Sequence, residues 1–346
     1  MKPLGQPSWI PPPEWLTIDT IDMHTGGEPL RILVSGLPEI KGKTILEKRN
    51  YFRDHYDFIR TGTMWEPRGH ADMYGAVLTD PVTEDGDFGI IFMHNEGYST
   101  MCGHATIAVA KLILETDLFK KKREEPVLQI DGPPGRIIAK GRKEKGEVTE
   151  VIFQNVSSFV FLENGEIIID DLGKIRFDIA YGGAFYAIVE ADKLGMELIP
   201  ENYNQLISTG RKIKLVIQDN YQVKHPFEQD LSFLYGVIFT GRPENETNHS
   251  RNVCIFAEGE LDRSATGSGI SARAALHYQR REMNLGEWYT VESILGTTMN
   301  VKVKESVSFG PYQAVIPEVS GTAFFTGRNS FSFDPKDPLK NGFIFR

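Results

Sequence analysis

Two stretches of the chain share one pattern of apolar and polar positions. In the first, the unbroken apolar run at residues 89–93 predicts a buried strand. After it, residues 101–115, with Ala105, Ile107, Ala108, Val109, Ala110, Leu112, Ile113 and Leu114, predict a helix of small and aliphatic side chains. In the second, residues 252–257 predict a strand, and a helix built from Ile270, Ala272, Ala274, Ala275 and Leu276 opens after Gly267. A hairpin follows each helix. Residues 127–130 and 136–139 flank a turn with Gly132 and Gly135, and residues 289–293 and 299–303 flank one with Gly296. One strand–turn–helix–hairpin unit therefore occurs in each half of the chain.

The remaining segments fill in around these units. Residues 16–23 and 30–34 predict paired strands across the turn Thr25-Gly26-Gly27. Charges alternate with Tyr51, Phe52, Tyr56, Phe58 and Ile59 over residues 48–60, which predicts an amphipathic helix; 60–69 reads as loop and 74–78 as strand. Strands are predicted at 150–156, 158–163, 173–180, 234–240, 314–320 and 321–326, the last breaking at Gly327, and a second long helix at 202–217. The adjacent Gly182 and Gly183 predict a backbone bend before the aromatic segment ending at Tyr186. The charge run at 120–125 and the stretch 241–250 read as solvated loops. No low-complexity linker divides the halves. The symmetry of the unit places the boundary near Asn155, giving an extended arm at 1–15, a first domain at 16–155 rejoined by closing strands at about 317–346, and a second domain at 156–316.

Chemistry enters at the two helix starts. A thiol at Cys102 would sit where unpaired N–H groups and the helix dipole favour anions, so the expectation is a pKa below the free value of about 8.5. The N–H groups of Gly103 and His104 can hold a carboxylate or phosphate there; an inert buried cysteine is the competing reading. The second helix start carries Thr266, Gly267 and Ser268 in the corresponding places. Two such termini facing one cleft would grip one anionic group from both sides. Cys254, in an apolar strand, reads as buried and inert. Cys102 and His104 lack a second pair at metal-ligand spacing, so no metal site is expected, and no phosphate-binding glycine loop is present.

Composition narrows the setting. The 346 residues are 40% hydrophobic and 25% charged, which suits a globular protein with sizeable cores. A net charge of −9 argues against a nucleic-acid surface, so an anionic ligand would need a local positive site. Prolines at 3, 7, 11, 12 and 13 break any signal-peptide apolar region, and no apolar run approaches the roughly 18 residues of a membrane span. Two distant cysteines predict no structural disulfide and a reducing, cytoplasmic setting.

Met101-Cys102-Gly103-His104 and residues 262–269 resemble the paired signatures of the proline racemase superfamily, and the segments 25–29, 66–75 and 180–186 match it too. The resemblance runs from about Ile18 to the end. It implies an α/β (α+β) fold of the diaminopimelate epimerase type: two pseudo-symmetric domains, each a central helix wrapped by mainly antiparallel sheet. Isomerases of the family carry cysteine at both helix starts. The Cys102/Thr266 combination is similar to that of members that dehydrate trans-3-hydroxy-L-proline without a cofactor, Cys102 acting as the one proton acceptor. Gly103, His104, Gly267 and Ser268 are then expected to bind the substrate carboxylate, and Asp262 its ammonium; a cap or a partner of Arg263 is the other role open to Asp262. His70 and Asp72 would line or brace the cleft or form a structural pair, and the segment from Tyr181 to Tyr186 would wall the substrate ring or belong to the core. Racemisation of proline or epimerisation of 4-hydroxyproline is the alternative, and non-catalytic amino-acid binding a third reading. A small cyclic amino acid is the expected partner, with no nucleic acid and no membrane; a homodimer is compatible with the sequence.

Overall fold

The computed structural model describes residues 9–116, 118 and 127–345. Among these, four α-helices, α1 (Ile45–Met64), α2 (Gly103–Glu115), α3 (Tyr203–Asn220) and α4 (Gly267–Gln279), pack on an 18-stranded, mainly antiparallel sheet. This is the mixed α/β architecture expected. The charge run at 120–125 and most of the N-terminal arm lie outside the described residues.

The internal repeat is longer than the sequence pattern indicates. Hairpin Leu16–Thr25/Glu28–Ser35 leads through α1 to Tyr74–Thr79, which runs parallel to Glu28–Ser35 and antiparallel to Phe88–His94. In the second half, hairpin Gly173–Tyr181/Phe185–Glu190 leads through α3 to Leu234–Gly241, parallel to Phe185–Glu190 and antiparallel to Ser250–Phe256. Each of Phe88–His94 and Ser250–Phe256 then pairs with a two-residue strand before the central helix, and in parallel with the first strand of the hairpin beyond it. The helices α1 and α3 are the right length for parallel crossovers, but their sequences share no pattern that marks them as equivalent.

The halves are joined late in the chain. Tyr312–Gly321 pairs with Thr298–Phe309 of the second half and with Glu147–Gln154 and Ser158–Ile169. Ala323–Phe333 then pairs with Leu16–Thr25 of the first half. This strand does not break at Gly327. The pairing passes from Asp22↔Gly327 to Met23↔Phe325, so a bulge absorbs one residue and the strand continues.

One core cluster contains both central helices. Ten of the residues of α2, from Gly103 to Ile113, are buried, because the helix is wrapped on every side and presents no polar face. The amphipathic α1 starts earlier and ends later than its periodicity indicates. Thr44 caps it by accepting from Glu47 N–H, and Glu47 reaches back to Lys43 N–H, a reciprocal capping pair. It runs through Gly62, where a Cβ would lie 2.4 Å from Phe333 Cε1, so close packing on the last strand keeps a glycine inside the helix. The helix is irregular at Tyr56.

Candidate active site

The two central helices meet end to end at their N-termini. A Cβ built on Gly103 would lie 2.5 Å from Gly267 Cα, and one built on Gly267 would lie 2.8 Å from Gly103 Cα. Only two glycines permit that approach. The first backbone N–H groups of both helices consequently point toward one region, where helix dipoles and unpaired donors favour an anion. Beside it lies a small cavity lined by Cys102, Gly103, His104, Asp262, Thr266, Gly267 and Ser268, the seven residues expected from sequence to act on or bind the substrate. Tyr74, Tyr186, Tyr235, Phe256, Met101 and Cys254 complete the wall.

Cys102 is the N-cap of α2, and its Sγ accepts from Ala105 N–H at 3.4 Å. His104 Nδ1 lies 3.1 Å from the same sulfur. Burial and the charge of Arg263 push the His104 pKa down to about 3, so the ring is neutral. The expectation of a lowered thiol pKa does not hold in this geometry. Burial pushes the Cys102 thiol well above the ordinary cysteine value, the Ala105 N–H opposes this, and the charges of Asp262 and Glu28 add to it. Loss of water around the charged form is the largest of these influences.

The other helix start is built differently. Thr266 caps α4 with φ of +61°, a left-handed conformation that is an outlier for a β-branched residue, and its side chain makes no capping bond. Neighbours hold it there. Its Oγ1 donates to Asp262 Oδ2 at 2.8 Å, and its N–H donates to Ser264 Oγ at 3.1 Å. Asp262 Oδ1 in turn accepts from Ser264 N–H at 2.8 Å. Asp262 thus braces the turn and also faces the cavity, where its carboxylate retains lone pairs for a further donor. Burial raises its pKa. Arg263 does not bond it; that guanidinium goes to Glu28 and to the Asp72 carbonyl.

The residues whose roles the sequence leaves open take the following places. His70 is exposed, bonded to the Ala71 carbonyl, and does not line the cavity. Asp72 is buried and braces from outside: its carbonyl receives Arg263 and its Oδ2 accepts from Tyr203 Oη at 3.0 Å. Of the aromatic segment, Tyr181 packs with Phe159 and Phe185 in the core, whereas Tyr186 reaches the cavity and bonds Ser268 Oγ at 2.7 Å. Cys254 is buried and free as expected, but it faces the cavity rather than an inert core. The sequence reading missed Tyr235 and Phe256, whose rings stack with centroids 5.4 Å apart. It also missed Tyr74, whose Oη bonds Ser99 Oγ and lies 3.4 Å from Tyr235 Oη. The matched segment 66–75 contains Tyr74 and could have signalled it; nothing local marks Tyr235.

Among the described residues, no group of three His, Cys, Asp or Glu is placed to hold a metal ion, and no helix is long and apolar enough to cross a membrane.

The sequence pattern of the family described as proline racemase matches residues 20–344. The chain belongs to the proline racemase family. A trans-3-hydroxy-L-proline dehydratase from Colwellia psychrerythraea (strain 34H) is 49% identical over 332 residues, covering 96% of this chain and 94% of the relative. A trans-L-3-hydroxyproline dehydratase from Bos taurus is 39% identical over 355 residues, covering 99% of each chain. Among solved structures, a hydroxyproline epimerase from Agrobacterium vitis with bound trans-4-hydroxy-L-proline superposes with a TM-score of 0.89 at 28% identity, covering 96% of each chain. This chain carries one cysteine and one threonine on its two opposed helix starts.

Proposed function

We propose that this chain removes water from trans-3-hydroxy-L-proline to give Δ1-pyrroline-2-carboxylate, with Cys102 as its one acid–base group. The observation that carries this reading is the pair Cys102 and Thr266 on facing helix starts of one cavity. Relatives matching along nearly the whole chain bear this activity in their names. The lobes are taken as residues 16–155 with 317–346, and 156–316.

The chemistry follows from the groups present. The substrate carboxylate binds the N–H groups of Gly103, His104, Gly267 and Ser268, whose fixed dipoles stabilise the charge that develops there when the α-proton leaves. The substrate ammonium faces Asp262. It also brings into the cavity a positive charge that favours the Cys102 thiolate over the thiol. The 3-hydroxyl is trans to the carboxylate and so shares a ring face with the α-hydrogen. The thiolate takes that hydrogen as a proton, and the C–H electron pair becomes the C2–C3 double bond. The C3–O bond breaks, and the new thiol protonates the departing hydroxide, leaving water and the original thiolate. The resulting enamine tautomerises to the pyrroline. Thr266 is excluded as a second base: its hydroxyl is far less acidic than a thiol and already donates to Asp262.

Incubation in D2O with L-proline, 4-hydroxyproline and trans-3-hydroxy-L-proline, followed by NMR, tests the reading. Pyrroline-2-carboxylate from the third substrate is the expected result. Efficient inversion of the first two would replace the dehydratase reading with an isomerase one, and no reaction with any of them would leave a binding protein.

Thr266→Cys should add isomerisation of L-proline or 4-hydroxyproline that the parent lacks. Cysteine is unbranched at Cβ and tolerates φ of +61° better than threonine does. The variant forfeits the bond to Asp262, so the gained activity will be modest. Optical inversion and α-deuteration are measured together; exchange without inversion in the variant would show that residue 266 does not address the opposite face.

Asp262→Asn keeps the shape and removes the charge. Affinity for amino-acid ligands should fall roughly 10- to 100-fold, the scale of a lost charge-assisted hydrogen bond of about 1.5–3 kcal/mol. Pyrrole-2-carboxylate, which has no ammonium, should lose much less. Equal losses by calorimetry would confine Asp262 to bracing Thr266.

A further inference from the structure

Glu28 takes no part in the steps above, yet its side chain is fully buried. Its Oε1 has no hydrogen-bond partner among the described residues, an expensive arrangement for a carboxyl group. Its Oε2 accepts twice from the other half of the chain, from Arg263 N–H at 2.8 Å and Arg263 Nη1 at 3.2 Å. Residue 263 lies inside the turn that Asp262, Ser264 and Thr266 knot together ahead of α4. On the same hairpin, Thr25 Oγ1 donates to the His104 carbonyl in the first turn of α2 at 2.9 Å. The turn between them also seats on the second half. The Gly26 carbonyl accepts from Thr297 Oγ1 at 2.9 Å, and a Cβ on Gly27 would lie 2.6 Å from Leu295 Cδ1. One short hairpin therefore touches the beginnings of both central helices.

We propose that this hairpin is a clasp setting the two helix starts against each other, with Glu28 as its positioning residue acting through the Arg263 N–H. Its importance lies in what it holds. The Gly103 and Gly267 backbones are in contact, and a displacement of about 1 Å between oriented groups is enough to cost 100-fold in rate. A backbone N–H on Arg263 needs an acceptor, not a charge. Glutamine can supply that acceptor and alanine cannot. Burial and the neighbouring Asp262 raise the Glu28 pKa, which agrees with a group retained for its geometry.

The test compares Glu28→Gln, Glu28→Ala and Thr25→Val in the full chain. Glu28→Gln should keep kcat on trans-3-hydroxy-L-proline within about fivefold, and Glu28→Ala should lose roughly 50-fold or more. In Glu28→Ala, amide hydrogen exchange over residues 262–268 should quicken roughly tenfold, while exchange in α3 stays unchanged. Unchanged exchange in that segment, or a Glu28→Gln variant as damaged as Glu28→Ala, would overturn the proposal. Should Glu28→Ala not fold, Thr25→Val reads the other end of the clasp: faster exchange over residues 103–106 with a severalfold lower kcat supports it, and wild-type values for both refute it. Only the kinetic arm rests on the dehydratase reading. A wild type that leaves trans-3-hydroxy-L-proline unchanged would sink that reading while the exchange measurements still judged the clasp.

Discussion

Cys102→Ala should lower turnover of trans-3-hydroxy-L-proline by roughly 10²–10⁴-fold, the range assigned to general acid–base catalysis. The elimination uses one group twice, first as base and then as acid, so removing the sulfur disables both proton transfers. Binding should suffer less. The carboxylate donors are backbone N–H groups of Gly103, His104, Gly267 and Ser268, and alanine leaves them in place. The dissociation constant for pyrrole-2-carboxylate should therefore stay within a few-fold of wild type. Alanine also removes the Sγ that accepts from Ala105 N–H, and loss of an N-cap costs about 0.5–2 kcal/mol of stability. Cys102→Ser separates the two effects. Serine keeps a capping oxygen, so its melting temperature should match wild type, yet turnover should still fall roughly tenfold or more because a hydroxyl is a far weaker acid than a thiol. Turnover near the wild-type rate in Cys102→Ala would remove Cys102 from the mechanism.

The reasons some features were legible in the sequence and others were not are local and physical. Both central helices were legible because full wrapping demands small and apolar residues at nearly every position, a signal that needs no partner to be read. The glycines after Cys102 and Thr266 were legible for a related reason: a helix start that another helix start touches has no room for a side chain. The ends of α1 were not. Thr44 and Glu47 form a local cap that could have been read, but Gly62 stays helical only because Phe333, far away in the chain, packs against it. The bulge at Gly327 is likewise set by its partner strand, with its paired residues at Asp22 and Met23. The thiol pKa was misjudged because position along a helix is a sequence property, while desolvation depends on Tyr74, Tyr235 and Phe256 closing the cavity from other strands. Cys254 looked inert for the same reason. Its neighbours in sequence are apolar, while in the fold it joins Thr266 in lining the cavity.

Gly103→Ala should abolish most activity without unfolding the chain. The added Cβ would meet Gly267 at 2.5 Å from Cα, 2.9 Å from the carbonyl carbon and 3.1 Å from the nitrogen. All three are backbone atoms, so no rotamer change relieves the clash, and one helix must move against the other. Restoring ordinary contact requires a shift of roughly 1 Å, and a misplacement of that size costs about 10²-fold in rate. The shift also parts the two sets of N–H donors, so affinity for pyrrole-2-carboxylate should fall along with kcat, unlike in Cys102→Ala. Overpacking of this kind costs about 1–3 kcal/mol, a fraction of a folded chain's stability, and the melting temperature should drop by only a few degrees. Gly327→Ala is the control. It lies on the outer strand with no atom within 4 Å of an added Cβ, and it should leave kcat, affinity and stability unchanged. A Gly103→Ala enzyme with wild-type kcat and ligand affinity would show that the contact between the helix starts does not set the site's geometry. A loss of kcat at unchanged affinity would show that the carboxylate is held elsewhere than between α2 and α4.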